Sequence, residues 1–120
     1  MLQGKIFRYI FFAFVLFSCV KSTITKTGFE MNFGSNSSGL SILTPVNDDS
    51  PVVLKGAITI REGALSVKLT NPDGVEVYAK VFEDQGFYEI NEFYRMIQGS
   101  WKLSYKSLQG RGAISLHALN

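Results

Sequence analysis

Few residues in this sequence are of the types that do chemistry, and their spacing limits what they can do. His117 is the one histidine in the chain, which excludes a metal site built on several imidazoles. A Ser-His-Asp relay would rest on this side chain alone, and no G-x-S-x-G elbow accompanies it. Ser115, Leu116 and Leu119 around it read as the end of a strand, so His117 is taken as a structural position. Acids pair at Asp48-Asp49 and Glu83-Asp84. Two carboxyl groups held apart in one pocket hydrolyse glycosides, and a hydrolase of this kind would need Glu83, Asp84, Glu89 and Glu92 to converge with raised pKa values. Both acidic pairs fall in segments that read as loops, where carboxylates serve solvation and turn formation. Asp48, Asp49, Asp73 and Asp84 lack the spacing of a calcium loop. No catalytic residue, metal or cofactor is therefore expected. What remains is a set of aromatic side chains, Tyr78, Phe82, Tyr88, Phe93 and Tyr94. Exposed on a rigid scaffold, such rings stack on sugars or anchor a protein partner; in the alternative, Tyr78 and Phe82 are covered by the tether or by the Phe93-Tyr94 loop.

Cys19 is the only cysteine and closes an apolar run. Met1 to Arg8 carries Lys5 and Arg8, Tyr9 to Phe17 is nine apolar residues without interruption, and small or polar residues follow. That is the three-part layout of an export signal, and it falls well short of the roughly 20 residues that a membrane-spanning helix needs. Leu16-Phe17-Ser18-Cys19 resembles the lipobox of bacterial lipoproteins: an aliphatic residue at −3, a small residue at −1 and then the cysteine. Phe17 stands where the family commonly has a smaller side chain. The resemblance implies a signal peptide over 1–18 and a thioether from Cys19 to diacylglycerol. Cleavage would leave Cys19 as the new N-terminus, carrying two or three acyl chains. The partner would then be membrane lipid, and the location the cell envelope, with the outer membrane of a Gram-negative bacterium favoured. Each buried methylene contributes about 0.8 kcal/mol and a single chain holds only marginally, so two or three chains make a stable anchor. The alternative is ordinary cleavage after Ser22, with Val20 and Ser22 at −3 and −1, which discards Cys19 and releases a freely secreted domain.

Beyond Cys19 the chain carries ten basic and ten acidic residues in alternation rather than in runs. Nucleic-acid binders show a basic stripe along the sequence or on one motif, so nucleic acid is not expected as a partner. With no second cysteine, the exported domain would form no internal disulfide and depend on its core.

The elements that must position the aromatic set read almost wholly as strands. Residues 19–27 form the lipidated cysteine and a polar tether, whose last eight residues reach about 26 Å when extended, and 28–120 form one domain. Period-two alternation of apolar and polar residues marks strands near 29–33, 40–43, 52–61, 65–70, 75–81, 87–90, 101–106 and 114–118. Asn71-Pro72-Asp73-Gly74 supplies a tight turn between Leu65, Val67, Leu69 and a second apolar row, Val75, Val77, Ala79, Val81. The segment 91–98 fits one helical turn or an aromatic loop, and 107–112, with two glycines, reads as a hairpin loop. The fold class expected is all-β: an antiparallel β-sandwich, Ig-like or similar, of about seven or eight short strands. The ending from Gly99 resembles the Gly-x-Trp-x-Leu close of extracellular bacterial β-sandwich modules, which implies that Trp101 anchors the core. The functional expectation is an envelope lipoprotein that binds or supports a protein or glycan partner without catalysis; the alternative is a secreted carbohydrate-binding module.

Overall fold

The computed structural model describes residues 24–120. The signal segment 1–18, the lipidation position Cys19 and tether residues 20–23 lie outside the described residues. Among the described residues every regular element is a strand: β1 (Lys26–Phe33), β2 (Ser38–Leu43), β3 (Val52–Thr70), β4 (Glu76–Phe82), β5 (Gly86–Tyr94) and β6 (Trp101–Leu119). β1 starts two residues before the expected domain start, and Thr25 already exchanges backbone hydrogen bonds with Asn120 at 3.3 and 3.0 Å.

The all-β antiparallel class holds, with six strands hydrogen-bonded into one sheet. The count is lower than expected because two pairs of short strands are continuous. Segments 52–61 and 65–70 run on as β3, and 101–106 and 114–118 run on as β6, each strand 19 residues long. The loop expected at 107–112 is a corner inside β6. β3 and β6 pair from Val53↔Leu119 to Thr70↔Lys102, with register shifts between Ile60 and Ala64. At this corner Gly63 and Gln109 take left-handed φ values of 63° and 55°, a region that side chains resist. Buried Ser107 bridges the corner, accepting from the Gly110 amide at 3.0 Å and donating to its carbonyl at 3.1 Å.

Alternation explains what the corner achieves. Before it the buried β3 positions are Val52, Leu54, Ile58 and Ile60; after it they are Leu65, Val67 and Leu69. β6 changes phase at the same place, from Trp101, Leu103 and Tyr105 to Ile114, Leu116 and Ala118. An extra residue in a ladder reverses the face on which all later side chains stand. Because both long strands change phase together, both halves of the sheet contribute to one core, joined by Phe33, Leu43, Phe82 and Ile90. Full burial of each such aliphatic side chain contributes about 1.5–3 kcal/mol.

The short strands flank this ribbon. On the β6 side, β1 pairs with 112–119 and β2 with 101–106; on the β3 side, β5 pairs with 52–60 and β4 with 65–70. Residues 91–94, expected as a helical turn or a loop, instead extend β5, where they pair with 52–55 of β3. The turn at 71–74 forms as expected: Gly74 has φ 82° and the Asn71 carbonyl oxygen Oδ1 accepts from the Asp73 and Val75 amides at 3.0 Å each.

One expectation about β4 is overturned. Of the row Val75, Val77, Ala79, Val81 only Val77 packs against the core; Val75 and Val81 are 54% and 45% exposed and Ala79 is exposed, while Phe82 is 2% exposed. The ladder steps from Leu69↔Tyr78 to Thr70↔Glu76, skipping Val77. That irregularity puts Tyr78, Lys80 and Phe82 on the side of Leu69, Val67 and Leu65.

Candidate functional site

The two flanks of the ribbon differ. On the β6 side, β1 and β2 lie against each other. The hydroxyls of Thr27 and Ser41 hydrogen-bond across them, and the edge of Phe29 meets Tyr105 at a centroid distance of 4.8 Å and 80°. Ser37 Oγ adds a 2.8 Å hydrogen bond to the Tyr105 hydroxyl. On the β3 side the backbones of β4 and β5 approach each other less closely. A cleft of about 370 Å³ opens there, bordered by Tyr78, Lys80 and Phe82 from β4 and by Phe87, Tyr88, Glu89, Ile90 and Glu92 from β5.

Register dictates these positions. In β4 the cleft residues are every second one, 78, 80 and 82, paired with Leu69, Val67 and Leu65. In β5 the alternate residues Tyr88, Ile90 and Glu92 pair with Ile58, Gly56 and Leu54, with Phe87 and Glu89 between and beside them at the border, and Tyr94, paired with Val52, continues the row past the cleft. Side chains close what the backbones leave apart. Phe82 and Tyr88 meet at 5.1 Å near the β4–β5 turn, where the Tyr88 hydroxyl donates to the Asp84 carbonyl at 2.7 Å. Lys80 Nζ stands 5.1 Å above the Phe82 ring, a cation–π arrangement that keeps the ammonium at the rim.

Farther along, the Glu92 carboxylate acts on both Tyr78 and Tyr94. Burial first, and then the Glu92 carboxylate, raises the Tyr78 pKa. The same causes, with Tyr78 added, push Tyr94 up to about 12. Both phenols therefore stay protonated at physiological pH and serve as hydrogen-bond donors, not as bases or nucleophiles. The arrangement offers apolar walls, neutral donors and charged groups at the lip: it can hold a ligand, and it contains no paired base and nucleophile.

Of the five aromatic candidates, the structure brings four together. Tyr78, Tyr88 and Tyr94 are half-buried against the core, and Phe82 belongs to the core itself. Phe93 stands apart on the opposite face of β5, 64% exposed. Lys80 and Phe87 were missed by the sequence reading. Lys80 was legible in principle, because it lies midway between Tyr78 and Phe82 in a period-two strand and must share their face.

The acids do not gather. Glu89 and Glu92 both border the cleft but pair with Ala57 and Leu54, on opposite faces of β5, while Glu83 and Asp84 sit in the turn before it. Asp48 accepts a hydrogen bond from the Gln98 side chain. Among the described residues no group of three His, Cys, Asp or Glu side chains stands together as a metal set. No family model matches the chain, and no curated protein does.

His117 lies away from the cleft, in the half of β6 paired with β1, its side chain 17% exposed and Nε2 3.5 Å from Glu30 Oε1. Burial, and secondarily Lys26, lower its pKa below 6.5 despite the opposing pull of Glu30. The unfolded chain then binds a proton that the folded chain resists, so this contribution to stability is complete above the unfolded value of 6.5 and is lost as pH falls through it toward the lower folded value. Acidification from pH 7 to pH 5 is accordingly expected to reduce stability, and His117→Gln to flatten that slope. Urea midpoints across the range measure both; an unchanged slope in the variant would assign the acid sensitivity elsewhere.

Proposed function

We propose that the chain is a lipid-anchored lipoprotein of the bacterial cell envelope whose β domain acts by binding, with the cleft between β4 and β5 receiving the ligand. The anchoring half of this reading is supported by the export layout and by the likeness of Leu16-Phe17-Ser18-Cys19 to a lipobox. The binding half is carried by one observation: Tyr78, Phe82 and Tyr88 converge on an open cleft whose lip bears Lys80 and Glu92. Aromatic walls accept a flat apolar face, neutral phenols donate hydrogen bonds, and a carboxylate accepts them. A glycan presents that combination of C–H faces and hydroxyls, and Tyr and Trp walls are the usual platform for it.

Binding of envelope polysaccharide is the test. Affinity electrophoresis through soluble polysaccharides and co-sedimentation with peptidoglycan sacculi should show retention of the wild-type chain. Tyr88→Ala should weaken it about tenfold or more, the scale for truncating a central aromatic contact. Because Tyr88 also packs on the core, Glu92→Gln serves as a second variant: Glu92 is exposed, the substitution leaves folding intact, and it should weaken retention severalfold. Retention unchanged by both substitutions, or none in any matrix, would remove the cleft from the proposal.

A further inference from the structure

The outward face of the other half of the sheet, across β2, β6, β3 and β4, has a regular chemistry that neither the core nor the cleft uses. Register sets its side chains in three adjacent rows: Ser38, Lys106 and Ser66; Leu40, Ser104 and Lys68; Ile42, Lys102 and Thr70. Each row holds one lysine, and hydroxyls fill most of the positions between. Among the described residues of this face Glu76 is the carboxylate, 3.5 Å from Lys68 Nζ, which leaves the face net positive. A shallow depression of about 440 Å³ is bordered by Ser38, Leu40, Ser66, Lys68, Ser104 and Lys106. Lys106 pairs with Ser66, and Ser104 with Lys68, so the two lysines are diagonal neighbours across one ladder, within reach of a common partner. Two ammonium groups and three hydroxyls around a hollow suit a phosphate diester, which accepts hydrogen bonds and carries one negative charge.

The edge of the same face is apolar. Leu40 and Ile42 on β2 are 60% and 52% exposed. The chain also enters the fold at this edge. Thr27 is hydrogen-bonded to Ser41, between Leu40 and Ile42, and Thr25 is fixed to Asn120, which also binds the Val46 amide at 2.9 Å. Ile24 and Val46, 70% and 56% exposed, therefore lie close to that entry. Five residues, 20–24, separate Cys19 from the first fixed residue, a reach of about 17 Å. A domain on so short a lead must place some face near whatever holds Cys19. The outward face of the first half carries Glu30 and Glu89 beside Lys26 and Lys55, with no excess of positive charge.

We propose that the Lys68, Lys102, Lys106 face docks on an anionic bilayer surface, with a lipid phosphate between Lys68 and Lys106 and with Leu40 and Ile42 entering the headgroup layer. The argument from the lead rests on the anchoring reading above; the charge pattern and the exposed aliphatic edge do not. The test separates the two. The full chain carrying Cys19→Ser, which cannot be acylated at that position, and Leu40→Cys labelled with a solvatochromic dye, reports whether the face itself meets lipid. Vesicles of phosphatidylcholine with a minority of phosphatidylglycerol should shift the emission to the blue, and phosphatidylcholine alone should not. Lys106→Gln should raise the lipid concentration for half-maximal shift about fivefold, and Lys68→Gln with Lys106→Gln about 25-fold, following the usual contribution of a lysine near an anionic surface. Added salt should weaken the shift in parallel. Equal shifts with neutral vesicles, indifference to the lysine substitutions, or no shift would overturn the docking surface. A shift produced by millimolar inorganic phosphate without vesicles would assign the hollow to a soluble phosphate instead. Fatty-acid labelling of the unsubstituted chain, read separately, decides anchoring whatever the dye reports.

Discussion

Trp101→Ala is expected to cost about 3–5 kcal/mol, a large share of the roughly 5–15 kcal/mol that holds a domain of this size folded. Trp101 is 1% exposed and opens β6 opposite Leu43 of β2. Its indole Nε1–H donates to the Ile97 carbonyl at 2.9 Å, and its ring lies 6.4 Å from that of Tyr94. One side chain thus fills the core, satisfies a loop carbonyl and holds the end of β5 in place. Alanine would leave a cavity, free the 95–100 connection and remove a wall from behind Tyr94. Trp101→Phe separates these parts: it refills most of the volume and forfeits the hydrogen bond, whose net contribution is about 1 kcal/mol. Chemical denaturation of both variants measures the difference. A loss near 1 kcal/mol for Trp101→Ala would mean that the site collapses around the gap and that the loop is not held by the indole.

The second large effect is at Cys19. If it carries the acyl chains, Cys19→Ser removes them together, and membrane retention then depends on Tyr9 to Phe17. Those nine residues are less than half of a spanning helix, whereas two acyl chains bury tens of methylenes at about 0.8 kcal/mol each. The expected outcome is complete loss of incorporated fatty acid and release of most of the protein by alkaline extraction of envelopes. Full label in the Cys19→Ser chain would end the lipoprotein reading.

The alternating stretches were legible because a half-buried strand writes its burial into every second residue, as in Leu65, Val67 and Leu69. The turn at Asn71 to Gly74 was legible because its chemistry is local: an Asn side chain capping two amides and a glycine at positive φ. The continuity of β3 and β6 was hidden. Gly63, Gly110 and Gly112 look like loop residues in sequence, and only the pairing of the two long strands with each other on both sides of the corner makes them parts of a strand. The face of β4 was misread for a related reason. An irregularity at Val77 has no sequence mark, since Val75, Val77, Ala79 and Val81 form a plausible apolar row by themselves. The cleft was half visible. The aromatic types were evident, but their meeting requires β4 and β5 to pair with different halves of one strand, a non-local fact. Asn120 was invisible as an organiser, because its side-chain bonds to Val46, Asn47 and Ser50 reach about 70 positions back along the chain.

Mass analysis of the N-terminal peptide from chain purified out of bacterial envelopes tests most directly what Cys19 carries. The predicted result is a peptide beginning at Cys19, heavier than its sequence by a diacylglyceryl group, with or without a further acyl chain on its amine. A peptide beginning at Thr23, or an unmodified Cys19 still joined to Ser18, would contradict it.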